Sequence, residues 1–352
     1  MSVTLEELGG WPAVLGRLTA GEDLTSTQTA TAFAEILEGR ATSAQIAAFA
    51  VALRMKGETV EEMSGLVQAM SERAERVPLP DDVLARAVDT CGTGGDRSNS
   101  INVSTTAAFV VAGAGAPVCK HGNRAASSAT GTADVLEALG VVIDLGPEGV
   151  ARCVLEAGIG FCLAPRFHPA MRHAAPTRKE LGVPTVFNFL GPLANPAGVR
   201  RQVVGVSDPA MGEKMLGVLE DRGATDVLVV HGHDGLDELT LSTTSTVLQL
   251  HGGTTRAFVV DPRELGLATA DREAVRGADA ATNAAFTRRV LEGERGPHRD
   301  IVLLNAAAGV VAAGLAADLV EGLGLAERSV DDGRAGEALE RLVKVSQEAA
   351  PG

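Results

Sequence analysis

Four stretches of this sequence carry residue types that handle phosphate, a carboxylate or a divalent cation. The first opens with Cys91-Gly92-Thr93-Gly94-Gly95-Asp96 and runs on to Ser100, Asn102, Val103, Ser104 and Thr105. Three glycines within four residues let the backbone turn tightly and aim several N–H groups at one point. A helix starting near Ser104 would add aligned amides and the partial positive charge of a helix start. The spacing is neither G-x-G-x-x-G nor a Walker A loop, and a plain Gly-rich turn after a strand uses the same letters. The second stretch is Lys120-His121-Gly122-Asn123-Arg124, followed by Ser127, Ser128, Gly131 and Thr132, which adds cations and directional hydroxyls. No Asp or Glu lies between Arg97 and Ala133, although the chain carries 45 in 352 residues and about five would be expected there. An acid-free, hydroxyl-rich window in an acidic protein reads as an anion site.

The third stretch, Pro165 to Lys179, holds three Arg, one Lys, two His and no acid, and a bidentate Arg there suits a carboxylate. A solvated basic helix would look the same. The loop Phe187 to Pro196 contains Gly191, Pro192 and Pro196 but no catalytic group, and reads as structural. The fourth stretch is His231-Gly232-His233-Asp234-Gly235-Leu236-Asp237-Glu238-Leu239, placed just after an expected strand. Open α/β folds place ligands at that sheet edge. In a turn, Asp237 and Glu238 can both approach magnesium, which prefers hard oxygens and bound phosphates. An acidic surface turn is the plainer alternative. The two histidines lack a third and fourth ligand at zinc spacing.

These groups need a scaffold, and the hydrophobic pattern supplies one. The first 75 or so residues carry four capping-box patterns, at Thr4–Glu7, Thr25–Gln28, Thr42–Gln45 and Thr59–Glu62, each ahead of an apolar periodicity of three and four. They predict four short amphipathic helices. After Pro78-Leu79-Pro80, β-rich runs alternate with Ala-rich helical ones. Strands are expected at 87–90, 141–145, 202–206, 227–230 and 257–260, and helices at 105–114, 132–139, 209–221, 300–313 and 333–346. The fold class is therefore α/β: a small N-terminal helical domain and a larger α/β domain with a mainly parallel central sheet. The boundary is expected near residue 78, giving domains 1–78 and 79–352, joined again by a segment near 165–190.

Net charge is −14, aromatics make up 3%, and there is one Trp and no Tyr. This is a poor basis for a nucleic-acid surface. The four cysteines form no C-x-x-C pair, and the apolar runs are too short for a membrane span. The first residues show no signal-peptide pattern, and a cytoplasmic location is expected.

The four stretches, taken in order, resemble the anthranilate phosphoribosyltransferase family. The similarity rests on GTGGD at 92–96, NVST at 102–105, KHGNR at 120–124, HPAMR from His168, and GLDE at 235–238, and extends to Asn305-Ala306-Ala307. It implies transfer of phosphoribose from phosphoribosyl pyrophosphate (PRPP) to anthranilate, in tryptophan biosynthesis. It also implies an active site at a hinge and a homodimer formed through the helical domain. By this resemblance Gly92, Gly95, Asp96, Ser100, Asn102, Ser104, Thr105, Lys120, His121, Gly122, Asn123, Arg124, Ser127, Ser128 and Thr132 line the PRPP site. Gly92, Asn123, His168 and Arg178 meet anthranilate, and Ser104, Asp237 and Glu238 hold magnesium, two ions per subunit. Lys120, Asn123 and Arg178 carry the chemistry, by charge and positioning. Ser100-Ile101 stands where the family usually has Thr-Phe, and Thr132 where Ser is common; both keep the hydroxyl. A pyrimidine nucleoside phosphorylase can share this architecture without pyrophosphate-bound magnesium. A non-enzymatic nucleic-acid-binding relative would need an extended basic surface.

Overall fold

The computed structural model describes residues 3–125 and 130–350, so Ser127 and Ser128 lie outside the described residues. Helices Gly10–Thr19, Ser26–Leu37, Ser43–Lys56 and Val60–Glu72 open the chain. The last three begin at capping boxes: the hydroxyls of Thr25, Thr42 and Thr59 accept from the N–H groups of Gln28, Gln45 and Glu62, whose side chains reach back. Each cap contributes about 1 kcal/mol. The Thr4–Glu7 box forms the same two hydrogen bonds but closes only a turn. The first helix is entered through Gly9, its cap, and Gly10, its first residue, both left-handed with φ of 86° and 71°, which interrupts any helix begun at Thr4. The bundle closes on Phe33, Ile36, Phe49, Leu53, Met63 and Leu66, with Trp11 edge-on to Phe49 at 5.9 Å.

Seven strands follow: β1 (Val88–Gly92), β2 (Val118–Gly122), β3 (Ile159–Leu163), β4 (Arg201–Gly205), β5 (Asp226–Gly232), β6 (Ser245–His251) and β7 (Thr254–Val260). They form one sheet in the order β3-β2-β1-β4-β5-β6-β7. The first five run parallel, while β6 and β7 are antiparallel additions. The expected strand at 141–145 is an irregular extended segment. Its apolar side chains alternate inward, but the Val142 N–H donates to Ser346 Oγ at 3.0 Å on the C-terminal helix instead of to a neighbouring strand.

Helices Val103–Gly113, Pro147–Ala157, Pro297–Ala312 and Arg334–Ala349 share the larger core on one side of the sheet. The first of these is apolar nearly all round because it lies between the sheet and other helices. On the other side, helix Pro209–Asp221 joins the N-terminal bundle in a second core, which also takes in Ala174, Val186, Phe187, Phe189, Leu190, Leu193 and Ala194. Phe33 stacks on Phe187 at 5.4 Å, tying the bundle to this later segment.

The chain leaves β1 toward β2 on one side and returns through β4 on the other. The strand order therefore reverses between β1 and β4, and open α/β sheets place ligands beyond the C-terminal ends of strands at such a point. The glycine loop springs from that point: Gly92 and Gly205 are register partners, and the Thr93 N–H donates to the Gly205 carbonyl at 2.9 Å.

Candidate active site

At these strand ends, the turn after β5 lies directly on the two glycines. A β-carbon at Gly205 would sit 1.7 Å from the Asp237 carbonyl oxygen, and one at Gly92 2.6 Å from Asp237 Oδ2. Only glycine permits this approach. The Gly94 N–H donates to Asp237 Oδ2 at 2.8 Å, so the loop and the acidic turn are joined. Gly94 and Gly95 are left-handed, with φ of 65° and 85°, and so are Arg97 and Asn99, with φ of 54° and 51°. Such non-glycine conformations cost of order 1–3 kcal/mol each and concentrate at functional loops.

Glu238 reaches the start of helix Val103–Gly113, where its Oε1 accepts from the Ser104 N–H at 3.1 Å. Lys120, buried in the middle of β2, donates to the Thr90 carbonyl and to Ser104 Oγ, the latter at 3.4 Å. Asp96 presses its carboxyl against that of Asp237. Desolvation and then the charge of Asp96 push Asp237 up to about 7. Desolvation and then Asp237 push Glu238 up to about 8, against the pull of Lys120. Asp96 Oδ2 is buried with no hydrogen-bond partner. Crowded carboxylates with an orphaned oxygen are a hard-oxygen donor set that fits magnesium. Among the described residues no group of three or more His, Cys, Asp or Glu side chains forms a ligating cluster. Magnesium commonly takes one or two carboxylates and draws its other oxygens from substrate phosphate and water. His231 and His233 spend ring nitrogens on the Val206 carbonyl and on Thr244 and Thr246, apart from this set.

Thr105 donates to Thr132 at 3.1 Å, and the Asn102 amide reaches the Thr130 carbonyl at 3.4 Å, closing the wall beside Lys120. Ser100 joins that loop through hydrogen bonds of 3.2 Å with Ser98. Gly122 packs so closely that a β-carbon there would lie 2.9 Å from Phe161. Asn123 is exposed and accepts from the Arg124 N–H through its side chain. Arg124 is turned outward, where it pairs with Asp134 at 3.0 Å and Glu137 at 2.5 Å. Both partners lie on helix Thr132–Ala138.

Successive residues of a strand face opposite sides, so the neighbour of Lys120 looks the other way. His121 Nδ1 meets the Gly191 carbonyl at 2.9 Å, and its ring lies 5.1 Å from that of His168. No well-formed hydrogen bond reaches either ring nitrogen of His168 or His121 Nε2. Burial first, and His121 second, hold His168 down at about 3, with the Ala194 carbonyl pulling weakly the other way; burial also lowers His121. Both rings are therefore neutral. Arg178 lies 6.0 Å above the Phe187 ring and is partly desolvated, which lowers its pKa. Among the described residues it has no carboxylate partner, so it is a half-buried cation poised for an anion.

Sequence reasoning did not single out Asp89, Ser207 or Asn195. Asp89 is fully buried and accepts from the His121 N–H at 3.1 Å and from Asn195 Nδ2 at 2.8 Å. Ser207 Oγ donates to the Gly94 carbonyl at 2.9 Å. An acid inside an otherwise apolar strand was the available signal for Asp89.

Comparison with known proteins decides the lineage. The glycosyl transferase family, a/b domain, matches residues 84–336, and the glycosyl transferase family, helical bundle domain, matches residues 12–74. Anthranilate phosphoribosyltransferase of Salinispora arenicola is 54% identical over 346 residues, 97% of this chain and 98% of that protein. The chain belongs to the anthranilate phosphoribosyltransferase family. The corresponding protein of Rhodococcus opacus is 55% identical over 344 residues, 96% of this chain and 93% of its own length. Among solved structures, the family member from Thermus thermophilus superposes with a TM-score of 0.89 at 42% identity, covering 95% of this chain and 99% of that one. The family member from Saccharomyces cerevisiae, in complex with PRPP and Mg, gives a TM-score of 0.87 at 28% identity, with 96% and 98% covered.

Proposed function

We propose that this chain transfers the 5-phosphoribosyl group of PRPP to the amino group of anthranilate, giving N-(5-phosphoribosyl)anthranilate and pyrophosphate in tryptophan biosynthesis. The observation that carries the reading is the split within β2. Lys120 faces Ser104 and the Asp237–Glu238 turn, whereas His121 faces His168 and the Gly191 loop. One face suits a polyphosphate donor and the other a small planar acceptor. Gly92, Gly95, Asp96, Ser100, Asn102, Ser104, Thr105, Lys120, the backbone of His121 and Gly122, Asn123, Arg124, Ser127, Ser128 and Thr132 are the proposed donor contacts. Gly92, Asn123, His168 and Arg178 are the proposed acceptor contacts.

As the C1–oxygen bond breaks, positive charge develops on the ribose and negative charge on pyrophosphate. Lys120 meets the departing charge at fixed distance, a preorganised stabilisation that needs no rearrangement during reaction. Arg178 holds the carboxylate of the acceptor, and the neutral His121 and His168 rings leave an uncharged pocket for its aromatic body. The attacking aromatic amine is neutral at pH 7, so positioning supplies much of the rate. Ser104, Asp237 and Glu238 would hold magnesium, which when bound neutralises pyrophosphate oxygens.

Two ions per subunit, a homodimer formed through the helical domain and a cytoplasmic location belong to the same proposal. So does a division at residues 1–78 and 79–352, with 165–190 as hinge. No helix among the described residues is long and apolar enough to cross a membrane. The test follows anthranilate fluorescence with PRPP, with and without magnesium, and measures pyrophosphate. Metal-dependent loss of anthranilate matched by pyrophosphate release supports the proposal. Absence of turnover, or phosphate-dependent cleavage of pyrimidine nucleosides instead, overturns it.

A further inference from the structure

We propose that Asn195, together with the buried carboxylate of Asp89, is a positioning pair that registers the acceptor side of the site against the phosphate side. Asp89 is 0% exposed and makes no ion pair among the described residues. A buried, uncompensated carboxylate is costly unless hydrogen bonds replace its water. Here two do. Its Oδ1 accepts from the His121 N–H at 3.1 Å, and its Oδ2 accepts from Asn195 Nδ2 at 2.8 Å. The same Asn195 nitrogen donates to the Cys119 carbonyl at 2.9 Å, and its Oδ1 accepts from the Ala197 N–H at 2.9 Å. One carboxamide therefore fastens the loop that carries it to both β1 and β2, immediately before Lys120 and His121.

That loop carries the acceptor side. Its Gly191 carbonyl takes the His121 ring, and its Pro192 carbonyl takes Gln202 Nε2 at 3.0 Å. Its Phe187 lies beneath Arg178 and stacks on Phe33 of the helical bundle. The phosphate side is fastened separately, because Lys120 is held by Thr90 and Ser104 on the opposite face of the sheet. Releasing Asn195 thus frees the loop under His121 and Arg178 while leaving the anchors of Lys120 in place.

The pair rests on the phosphoribosyl-transfer reading above, so wild-type turnover is measured in parallel. Steady-state kinetics of Asn195→Ala and of the isosteric Asp89→Asn are run with each substrate varied in turn, and thermal melting confirms folding. Asp89→Asn keeps an acceptor for the His121 N–H but turns an amide N–H toward the Asn195 donor. Misplacement by about 1 Å can cost roughly a hundredfold in rate. The expected result is a rise of at least about tenfold in KM for anthranilate and a fall in kcat, with KM for PRPP within about twofold of wild type. Unchanged constants, or both KM values moving together, overturn the proposal and assign the pair to fold stability alone. Should Asn195→Ala fail to fold, the same split in Asp89→Asn decides. A wild type without turnover removes the functional reading itself, and this proposal with it.

Discussion

Acid should unfold this protein partly through one buried ring. His168 is 3% exposed and is held down at about 3, against an ordinary value of 6.5. Below about pH 6.5 the unfolded chain takes up a proton at this position and the native chain does not. Stability is therefore complete above 6.5 and is lost as pH falls toward 3. Each unit in that window costs up to 1.36 kcal/mol, so pH 5 removes about 2 kcal/mol through this residue alone. His121 adds a loss of the same sign. Asp237 and Glu238, held above their ordinary values, oppose it, because their protonation on acidification favours the native state. Comparing wild type with His168→Gln isolates the ring, since every other group is present in both. Urea unfolding at pH 7.5 and pH 5 gives the stability of each protein by linear extrapolation. The loss between the two conditions should be about 2 kcal/mol smaller in the variant, whatever its absolute stability. Equal losses in the two proteins would refute the claim that His168 is kept neutral by burial.

Three further outcomes are expected. Gly205→Ala places a methyl 1.7 Å from the Asp237 carbonyl oxygen, so the acidic turn must move. kcat/KM should fall by about two orders of magnitude or more while circular dichroism stays native, and near wild-type kinetics would show that the turn is dispensable. Arg178→Gln should raise KM for anthranilate about tenfold or more, by removing a charged partner worth roughly 1.5–3 kcal/mol, while leaving PRPP affinity by calorimetry unchanged. Glu238→Gln should lower kcat/KM by several tens of fold at limiting magnesium, with partial recovery at high magnesium. Wild-type activity at limiting metal would take Glu238 out of the metal set.

Much of this was legible in the sequence, for physical reasons particular to each element. Thr25, Thr42 and Thr59 announced helix starts because a cap is a local hydrogen bond between residues three apart. Thr4 makes the same bond yet starts no helix, because Gly9 and Gly10 turn the chain first. β2, β3 and β6 went unrecognised, the last although its burial alternates. Val118–Gly122 and Ile159–Leu163 are buried on both faces, and such strands lose the alternation that marks a half-exposed one. At the site, the Gly-rich loop and the Asp237–Glu238 turn could be read from composition. Their meeting could not, because it depends on strand order bringing β4 between β1 and β5. Arg124 adds a contact the window itself does not show: its guanidinium pairs with Asp134 and Glu137, the first acids beyond the acid-free stretch.

The sparse aromatic content gives the molecule an optical simplicity. Its one Trp lies at 8% exposure in the N-terminal bundle against Phe49, and there is no Tyr anywhere in the chain. Indole emission therefore reports from a single address, in the layer that contains none of the sheet. Melting followed at that wavelength reads the bundle alone, while circular dichroism reads all helices and strands. Coincidence of the two curves would measure how tightly the small layer is bound to the large one, with no label added. The same economy leaves a fluorescent aromatic acid to be watched against a background of one indole.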